Sequence, residues 1–172
     1  MNKVFSILFF ILIISIGLFQ YIRNSEQSIN YERFNLVSPG ILRTPDDRFE
    51  DLKDYPFTPN YLTIGDTRIH YIDEGPKDGQ IIYLLHGEPT WSYLFRKMIP
   101  TLVNEGFRVI APDMVGFGKS DKYISTDDYS HQMHVDKMTQ LIVELDLKNI
   151  TAHFHDWGGP VGFRVLAEEP NR

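Results

Sequence analysis

The residues best suited to chemistry lie in the stretch HFHDWGG, residues 153–159, with Asp156 at its centre. Residues 150–154 are mostly β-formers, and residues 158–169 have apolar positions at helical spacing, so the stretch predicts a tight turn from a strand into a helix. A nucleophile elbow carries G-x-S-x-G at such a turn and exposes its serine above the sheet. Asp156 stands where the serine would be. The same position also suits an acid that caps the following helix.

The elements around this turn predict an α/β fold. Apolar runs with the length and composition of strands alternate with segments of helical periodicity, which indicates a mainly parallel sheet with flanking helices. The predicted elements are a hairpin of Tyr61–Ile64 and Thr67–Asp73 with a Gly65-Asp66 turn, a strand Ile81–His86 buried on both faces, a helix over 92–104, a strand Arg108–Ala111, an amphipathic helix Asp128–Leu145, and a strand Thr151–Phe154.

Two polar segments follow strands of this sheet. His86-Gly87-Glu88 comes after the buried strand, and Asp156-Trp157 comes after Thr151–Phe154. In α/β sheets the reactive groups gather at the carboxyl ends of the strands. We therefore expect both segments to contribute to one site.

Several blocks of the sequence resemble the haloalkane dehalogenases of the α/β-hydrolase superfamily. The most specific is HGEPTWSYLFRKMIP at 86–100, followed by APDMVGFGKSD at 111–121 and HDWGG at 155–159. The segments ILRTPDDRF at 41–49 and YPFTPNYL at 55–62 are also similar to that family. The resemblance covers nearly everything after residue 40 and implies the amino-terminal half of an α/β-hydrolase fold.

The resemblance also implies a role for each residue of the predicted site. Asp156 would be the nucleophile, because a carboxylate can displace halide from an sp3 carbon and leave an ester that water cleaves, whereas a serine would leave a stable ether. The indole N–H of Trp157 would hold the departing halide. The backbone N–H groups of Glu88 and Trp157 would form the oxyanion hole. The substrate would be a small halogenated alkane, with no cofactor and no metal.

Two features keep an alternative open. Phe154 stands two residues before the nucleophile, where an elbow usually has a small residue, so the turn could be crowded. The HDWGG spelling also resembles epoxide hydrolases, which share the aspartyl ester but open an epoxide with tyrosines of a cap domain. Epoxide hydrolases usually read HGFP where this chain has HGEP at 86–89, which favours the dehalogenase.

Other motifs predict structural roles. GFGKS at 116–120 fails the Walker A template, which needs glycine at Asp113, and is interpreted as a tight turn. His131 with His134, and His153 with His155, are interpreted as packed or solvated side chains rather than metal ligands. His86 is expected to hold its loop by a hydrogen bond.

The resemblance implies groups that this sequence does not contain. In that family a histidine base, a second carboxylate and a cap domain come later in chain order than the nucleophile, and this chain ends at Arg172. His155 is a poor substitute, because adjacent strand residues point to opposite faces. The hypotheses are the amino-terminal part of a larger dehalogenase, or a non-catalytic remnant that is at most alkylated at Asp156. Either would leave an unpaired sheet edge beside the nucleophile strand.

The amino terminus predicts a membrane segment. Val4–Phe19 carries no charge and is nearly all apolar, so residues 4–22 are long enough to approach the thickness of a bilayer core. We expect residues 1–23 to form a single-pass anchor with a cytoplasmic amino terminus and the domain outward, or a signal segment whose cleavage would give a secreted or periplasmic protein. Residues 24–40 read as a polar tether, and residues 41–172 as a partial α/β-hydrolase domain.

Composition excludes several classes of function. The formal net charge of −6 gives no basic field for a phosphate backbone, so nucleic acid is not an expected partner. The chain has no cysteine, which excludes disulfides and thiolate catalysis. The sequence does not identify a protein partner.

Overall fold

A computed structural model describes residues 35–172. The strands are β1 (Asn35–Ser38), β2 (Ile41–Arg43), β3 (Asn60–Ile64), β4 (Thr67–Glu74), β5 (Ile81–Leu85), β6 (Arg108–Pro112), β7 (Lys122–Tyr123) and β8 (Thr151–Phe154). The α-helices are α1 (Met98–Asn104), α2 (His131–Glu144) and α3 (Gly158–Glu168), and single 3-10 turns lie at Asp46–Phe49, Ser92–Phe95 and Thr126–Asp128.

The main sheet has the strand order β3-β4-β6-β5-β8. Strand β5 runs parallel to β6 and to β8, whereas β4 is antiparallel to both β3 and β6. Among the five described strands of this sheet only β4 therefore runs against the others, because the predicted β3–β4 hairpin reverses the chain with a two-residue turn. The predicted mainly parallel sheet is confirmed in part, since two of the four strand pairings are parallel. Among the described strands β8 forms one edge of the sheet, as expected.

A second, small sheet of order β1-β2-β7 corrects the tether boundary. β1 and β2 form an antiparallel hairpin, and Ile41 pairs with Tyr123 of β7. Residues 35–40 thus belong to the folded domain. Their β-forming Leu36 and Val37 and the Pro39-Gly40 turn provide a hairpin that the polar composition of the whole segment concealed.

Two predicted helices are shorter than expected. The helix over 92–104 is divided into the 3-10 turn Ser92–Phe95 and α1. Pro100 explains the break. Inside a continuous helix, proline cannot donate the backbone hydrogen bond and its ring clashes with the carbonyl group four residues earlier. In the first turn of α1 the missing N–H has no helical partner to lose, so proline is tolerated there. Helix α2 begins at His131 instead of Asp128, because the Ser130 side chain accepts a hydrogen bond from Met133 N and caps it there.

The core lies on both faces of the main sheet. On one face, Tyr83 and Leu85 of β5 pack with Met138 of α2 and Val161 of α3. On the other, Leu84 packs with Ile99 of α1. Successive residues of β5 point to opposite faces and are buried on both, as its continuous apolar run predicted.

The predicted membrane segment, residues 1–23, and residues 24–34 of the tether lie outside the described part of the chain. Within residues 35–172, no helix is both long and apolar enough to cross a membrane. The anchor therefore stays a prediction.

Candidate functional site

Asp156 lies in the turn between β8 and α3, at the carboxyl end of the sheet. Its backbone has φ 52°, in the left-handed region that few residues with a side chain adopt. The turn is closed by hydrogen bonds from Gly158 N to the His155 oxygen and from Gly159 N to the Asp156 oxygen, both 2.9 Å. The first N–H groups of helix α3, those of Gly158 and Gly159, therefore bond backbone oxygens and not the Asp156 carboxylate, so Asp156 does not cap the helix with its side chain.

The Asp156 carboxylate is exposed and accepts hydrogen bonds from the backbone. The N–H of Glu88 donates to Oδ1 at 3.0 Å. The backbone N–H of Trp157 lowers the pKa of Asp156 most, the N–H of Glu88 lowers it further, and slight burial opposes them. The carboxylate is therefore ionised at neutral pH and oriented by the two N–H donors that the sequence had singled out.

The approach of the two loops depends on Gly87. A Cβ at this position would lie 2.5 Å from Asp156 Oδ1 and 2.5 Å from Trp157 N. Any larger residue would separate Glu88 N from the carboxylate. The glycine of HGEP is therefore required by the close approach of this loop to the elbow.

Phe154 does not disrupt the elbow, because α3 has a glycine opposite it. A Cβ at Gly162 would collide with the Phe154 ring. The ring also packs edge-on against Phe163, with centroids 5.1 Å apart. The crowding expected from Phe154 is thus accommodated in the helix, by a residue that the sequence analysis did not identify.

Both ring nitrogens of His86 are engaged in loop contacts. Nε2 accepts from Met114 N at 2.9 Å, so Nδ1 carries the proton and donates to the Gly87 oxygen at 2.9 Å. Burial lowers the pKa of His86, which keeps the ring neutral. His86 therefore joins the HGEP loop to the loop after β6, the structural role that the sequence predicted.

Asp113 was missed by the sequence analysis and connects three segments. Its fully buried carboxylate accepts from Ser92 N (2.7 Å), Lys119 N (2.9 Å) and His70 Nδ1 (2.8 Å). Burial favours the neutral acid, but the bonds and charge of His70 outweigh it and hold the pKa of Asp113 below its usual value. An acid directly after an apolar strand was the signal in the sequence that could have identified Asp113.

The residues at 116–120 form the tight turn that the sequence predicted.

Trp157 lines two concave regions of this face. Its side chain is 54% exposed, and with Asp156 and Pro160 it borders a shallow depression over the carboxylate. It also borders a cavity of about 230 Å³ on the side of α2. The residues lining that cavity are Glu88, Met114, Phe117, Tyr129, Ser130, His131, His134, Trp157 and Val161.

The remaining histidines are dispersed. His131 and His134 line the cavity, His153 packs edge-on against Phe95 with centroids 6.0 Å apart, and His155 is exposed in the turn. Within residues 35–172, no three His, Asp or Glu side chains are grouped so that they could hold a metal ion. No histidine in this part of the chain hydrogen-bonds the Asp156 carboxylate.

Sequence comparisons agree with the fold and the resemblance. A family model described as alpha/beta hydrolase fold matches residues 80–172. Haloalkane dehalogenases of Psychrobacter cryohalolentis and Mycolicibacterium paratuberculosis are 55% and 54% identical over 137 residues. These alignments cover 77% of this chain but 45% and 46% of the relatives. The matched part of the chain thus spans less than half the length of these proteins.

Solved structures give the same picture. A haloalkane dehalogenase of Paraglaciecola agarilytica NO2 has 48% identity and a TM-score of 0.74, over 77% of this chain and 46% of that one. An epoxide hydrolase of Vigna radiata has 27% identity and a TM-score of 0.61, over 66% and 36% of the two chains. The predicted resemblance to haloalkane dehalogenases is confirmed, and the epoxide hydrolase shares less of the sequence.

Proposed function

Since this chain belongs to the α/β-hydrolase fold family, we propose that it cleaves carbon–halogen bonds with Asp156 as the nucleophile. The observation that carries the proposal is an ionised carboxylate at a left-handed elbow, held by the N–H groups of Glu88 and Trp157. The relatives named haloalkane dehalogenase, at 54–55% identity, supply the substrate class.

The first step is a displacement at carbon. An Asp156 carboxylate oxygen attacks the carbon that bears the halogen, the new C–O bond forms, and the carbon–halogen electron pair leaves with the halide. The bond from the Glu88 N–H to Oδ1 helps to fix the orientation of the carboxylate, which leaves the second oxygen to attack. The indole N–H of Trp157, next in the chain, is the proposed donor to the departing halide.

The second step is hydrolysis of the ester at its carbonyl carbon. Water adds there, and the negative charge that develops on the carbonyl oxygen is stabilised by the N–H groups of Glu88 and Trp157, which already point at this carboxyl group. The step needs a base to take a proton from the water. His86 is not available for this role, because both of its nitrogens are engaged. We therefore expect residues 1–172 alone to form the ester and to hydrolyse it slowly.

Mass spectrometry of the chain after incubation with a primary bromoalkane tests this proposal. We expect one alkyl group on the peptide containing Asp156 and about one bromide per chain, because ester formation releases one halide. The matched control is Asp156→Asn, whose neutral amide should give neither product. Bromide release without an adduct on Asp156, or an unchanged yield in the variant, would contradict the assignment.

Epoxide opening is the second candidate, favoured by the structural similarity to the Vigna radiata enzyme. It would leave a hydroxyalkyl ester on the same Asp156. A terminal epoxide of equal carbon number, offered in parallel, separates the two reactions by the mass of the adduct. We expect the bromoalkane to react and the epoxide not to, given the higher identity to the dehalogenases.

A further inference from the structure

His86 bonds the same peptide group that donates to the Asp156 carboxylate. The carbonyl of Gly87 and the N–H of Glu88 belong to one planar trans peptide, so the oxygen and the hydrogen point in opposite directions. His86 Nδ1 donates to that oxygen at 2.9 Å. At the other end of the group, the N–H donates to Asp156 Oδ1 at 3.0 Å. The imidazole therefore fixes one end of the peptide and the carboxylate takes the other.

The His86 ring is itself held in place by a second loop. It is fully buried, and its Nε2 accepts from Met114 N at 2.9 Å. The ring also packs edge-on against Phe117, with centroids 5.3 Å apart. Met114 and Phe117 belong to the loop after β6. The ring therefore ties the Gly87 oxygen to the end of a second strand of the main sheet.

The peptide after residue 87 needs such a contact because that residue is a glycine. Asp156 and Trp157 leave no room for a side chain there, but glycine allows its own torsion angles to vary widely. The turn bond from Thr90 N to the Gly87 oxygen, at 3.1 Å, is a second bond that limits rotation of the peptide. A hydrogen bond to the carbonyl also polarises the group, which strengthens its N–H as a donor.

We infer that His86 is a positioning residue for the hydrolysis step, which it serves by holding the Glu88 N–H on the carbonyl oxygen of the Asp156 ester. This inference rests on the proposed function of Asp156. When the second carboxylate oxygen attacks carbon, Oδ1 becomes the carbonyl oxygen of the ester, next to the Glu88 N–H. In the ester this oxygen is neutral, and it regains negative charge as hydrolysis proceeds. Loss of the His86 bonds should therefore slow cleavage of the ester much more than its formation.

Two rates measured on the same chain test the inference. The chain is alkylated with a primary bromoalkane, the excess is removed, and the Asp156 ester is cleaved with hydroxylamine, a nucleophile that needs no base from the protein. Mass spectrometry follows both steps. We expect His86→Leu to form the ester within about two-fold of the parent rate and to be cleaved roughly ten- to a hundred-fold more slowly, because the donor is displaced rather than removed. His153→Leu, which replaces an exposed ring of β8, is the control and should change neither rate.

Two further variants separate positioning from a merely structural role. The amide N–H of His86→Asn lies near the place of Nδ1 and can still donate to the Gly87 oxygen. The amide oxygen of His86→Gln lies near the place of Nε2 and can still accept from Met114 N. We expect His86→Asn to retain more of the cleavage rate than His86→Gln, although His86→Gln fills the buried site better and should be the more stable in urea.

The outcomes distinguish this inference from the proposed function. Equal slowing of both steps in His86→Leu, or faster cleavage in His86→Gln than in His86→Asn, would overturn the inference and leave the nucleophile assignment intact. Failure of the bromoalkane to label Asp156 in the parent chain would refute the proposed function and the inference with it. Circular dichroism shows which variants are folded, and the pair His86→Asn and His86→Gln keeps the test valid if His86→Leu does not fold.

Discussion

Asp156 combines a reactive carboxylate with an unfavourable backbone conformation. At φ 52° the Cβ of an L-residue approaches the following carbonyl oxygen, and only short polar residues such as Asp and Asn tolerate the region well. The conformation is retained because β8 and α3 fix both ends of the turn. It exposes the carboxylate above the ends of the strands, where the N–H of Glu88 reaches it.

Replacing Asp156 by Gly and by Ala should separate strain from chemistry. Glycine adopts this φ without steric cost, whereas alanine does not and lacks the short polar side chain. We expect the folding equilibrium constant of Asp156→Gly to be about five- to thirty-fold larger than that of Asp156→Ala, as measured by urea denaturation. Neither should be alkylated. Equal stability of the two variants would show that the turn relaxes to another conformation, and that the φ angle of residue 156 does not limit the stability of the fold.

At the scale of elements, the packing of β8 on α3 depends on the pair Phe154 and Gly162. The aromatic ring occupies the space that a side chain at Gly162 would need. This solution reverses the usual arrangement, in which the strand residue two positions before the nucleophile is small. The bulk of Phe154 and the absence of a side chain at Gly162 are therefore coupled.

This coupling predicts a non-additive pair of substitutions. Gly162→Ala should lower the free energy of unfolding by about 1–2 kcal/mol, since the overpacking cost exceeds the gain in helix propensity. In a Phe154→Val background the same change should cost little or be stabilising. Gly159→Ala in the same helix is the control, because nothing lies within 4 Å of its Cβ, and it should be neutral or stabilising. Urea denaturation of the four-variant cycle measures the coupling, and additive effects would disprove it.

Some of these elements could be predicted from the sequence, and others could not. Strand β8 and the β3–β4 hairpin follow from local composition and a turn signal, and both are confirmed. The division of the 92–104 segment follows from Pro100, whose effect depends on where the helix begins. The pairing of β4 with β6 and of β2 with β7 depends on contacts distant in sequence, which periodicity does not encode.

At the scale of the whole molecule, the site is assembled by groups far apart in the chain. The Asp156 turn, the HGEP loop and the loop after β6 are joined by bonds that span 68 residues from Glu88 to Asp156 and 28 residues from His86 to Met114. The motifs predicted the first pair, because the two segments follow adjacent strands. They did not predict Asp113, whose partners are identified only by the folded structure.

The buried ionisable groups predict how the stability of the whole domain depends on pH. Burial raises the pKa of Tyr55 and Tyr83 well above the usual range, and burial followed by the bond to Asp66 raises the pKa of Tyr123 to about 12. Burial acts in the opposite direction on a cation and lowers the pKa of Lys122 to about 8. The tyrosines and the lysine therefore affect stability with opposite signs in two pH windows.

Between pH 8 and about 10, the unfolded chain still protonates Lys122 while the native state has released that proton, so stability rises with pH. Above about 10, the unfolded tyrosines ionise while the native ones stay protonated, so the native state binds more protons and stability is lost. We expect the urea midpoint to peak near pH 10. Tyr83→Phe, which removes a buried hydroxyl bonded to Met138 Sδ, should make the fall above pH 10 shallower, and an unchanged slope would exclude Tyr83 as its cause.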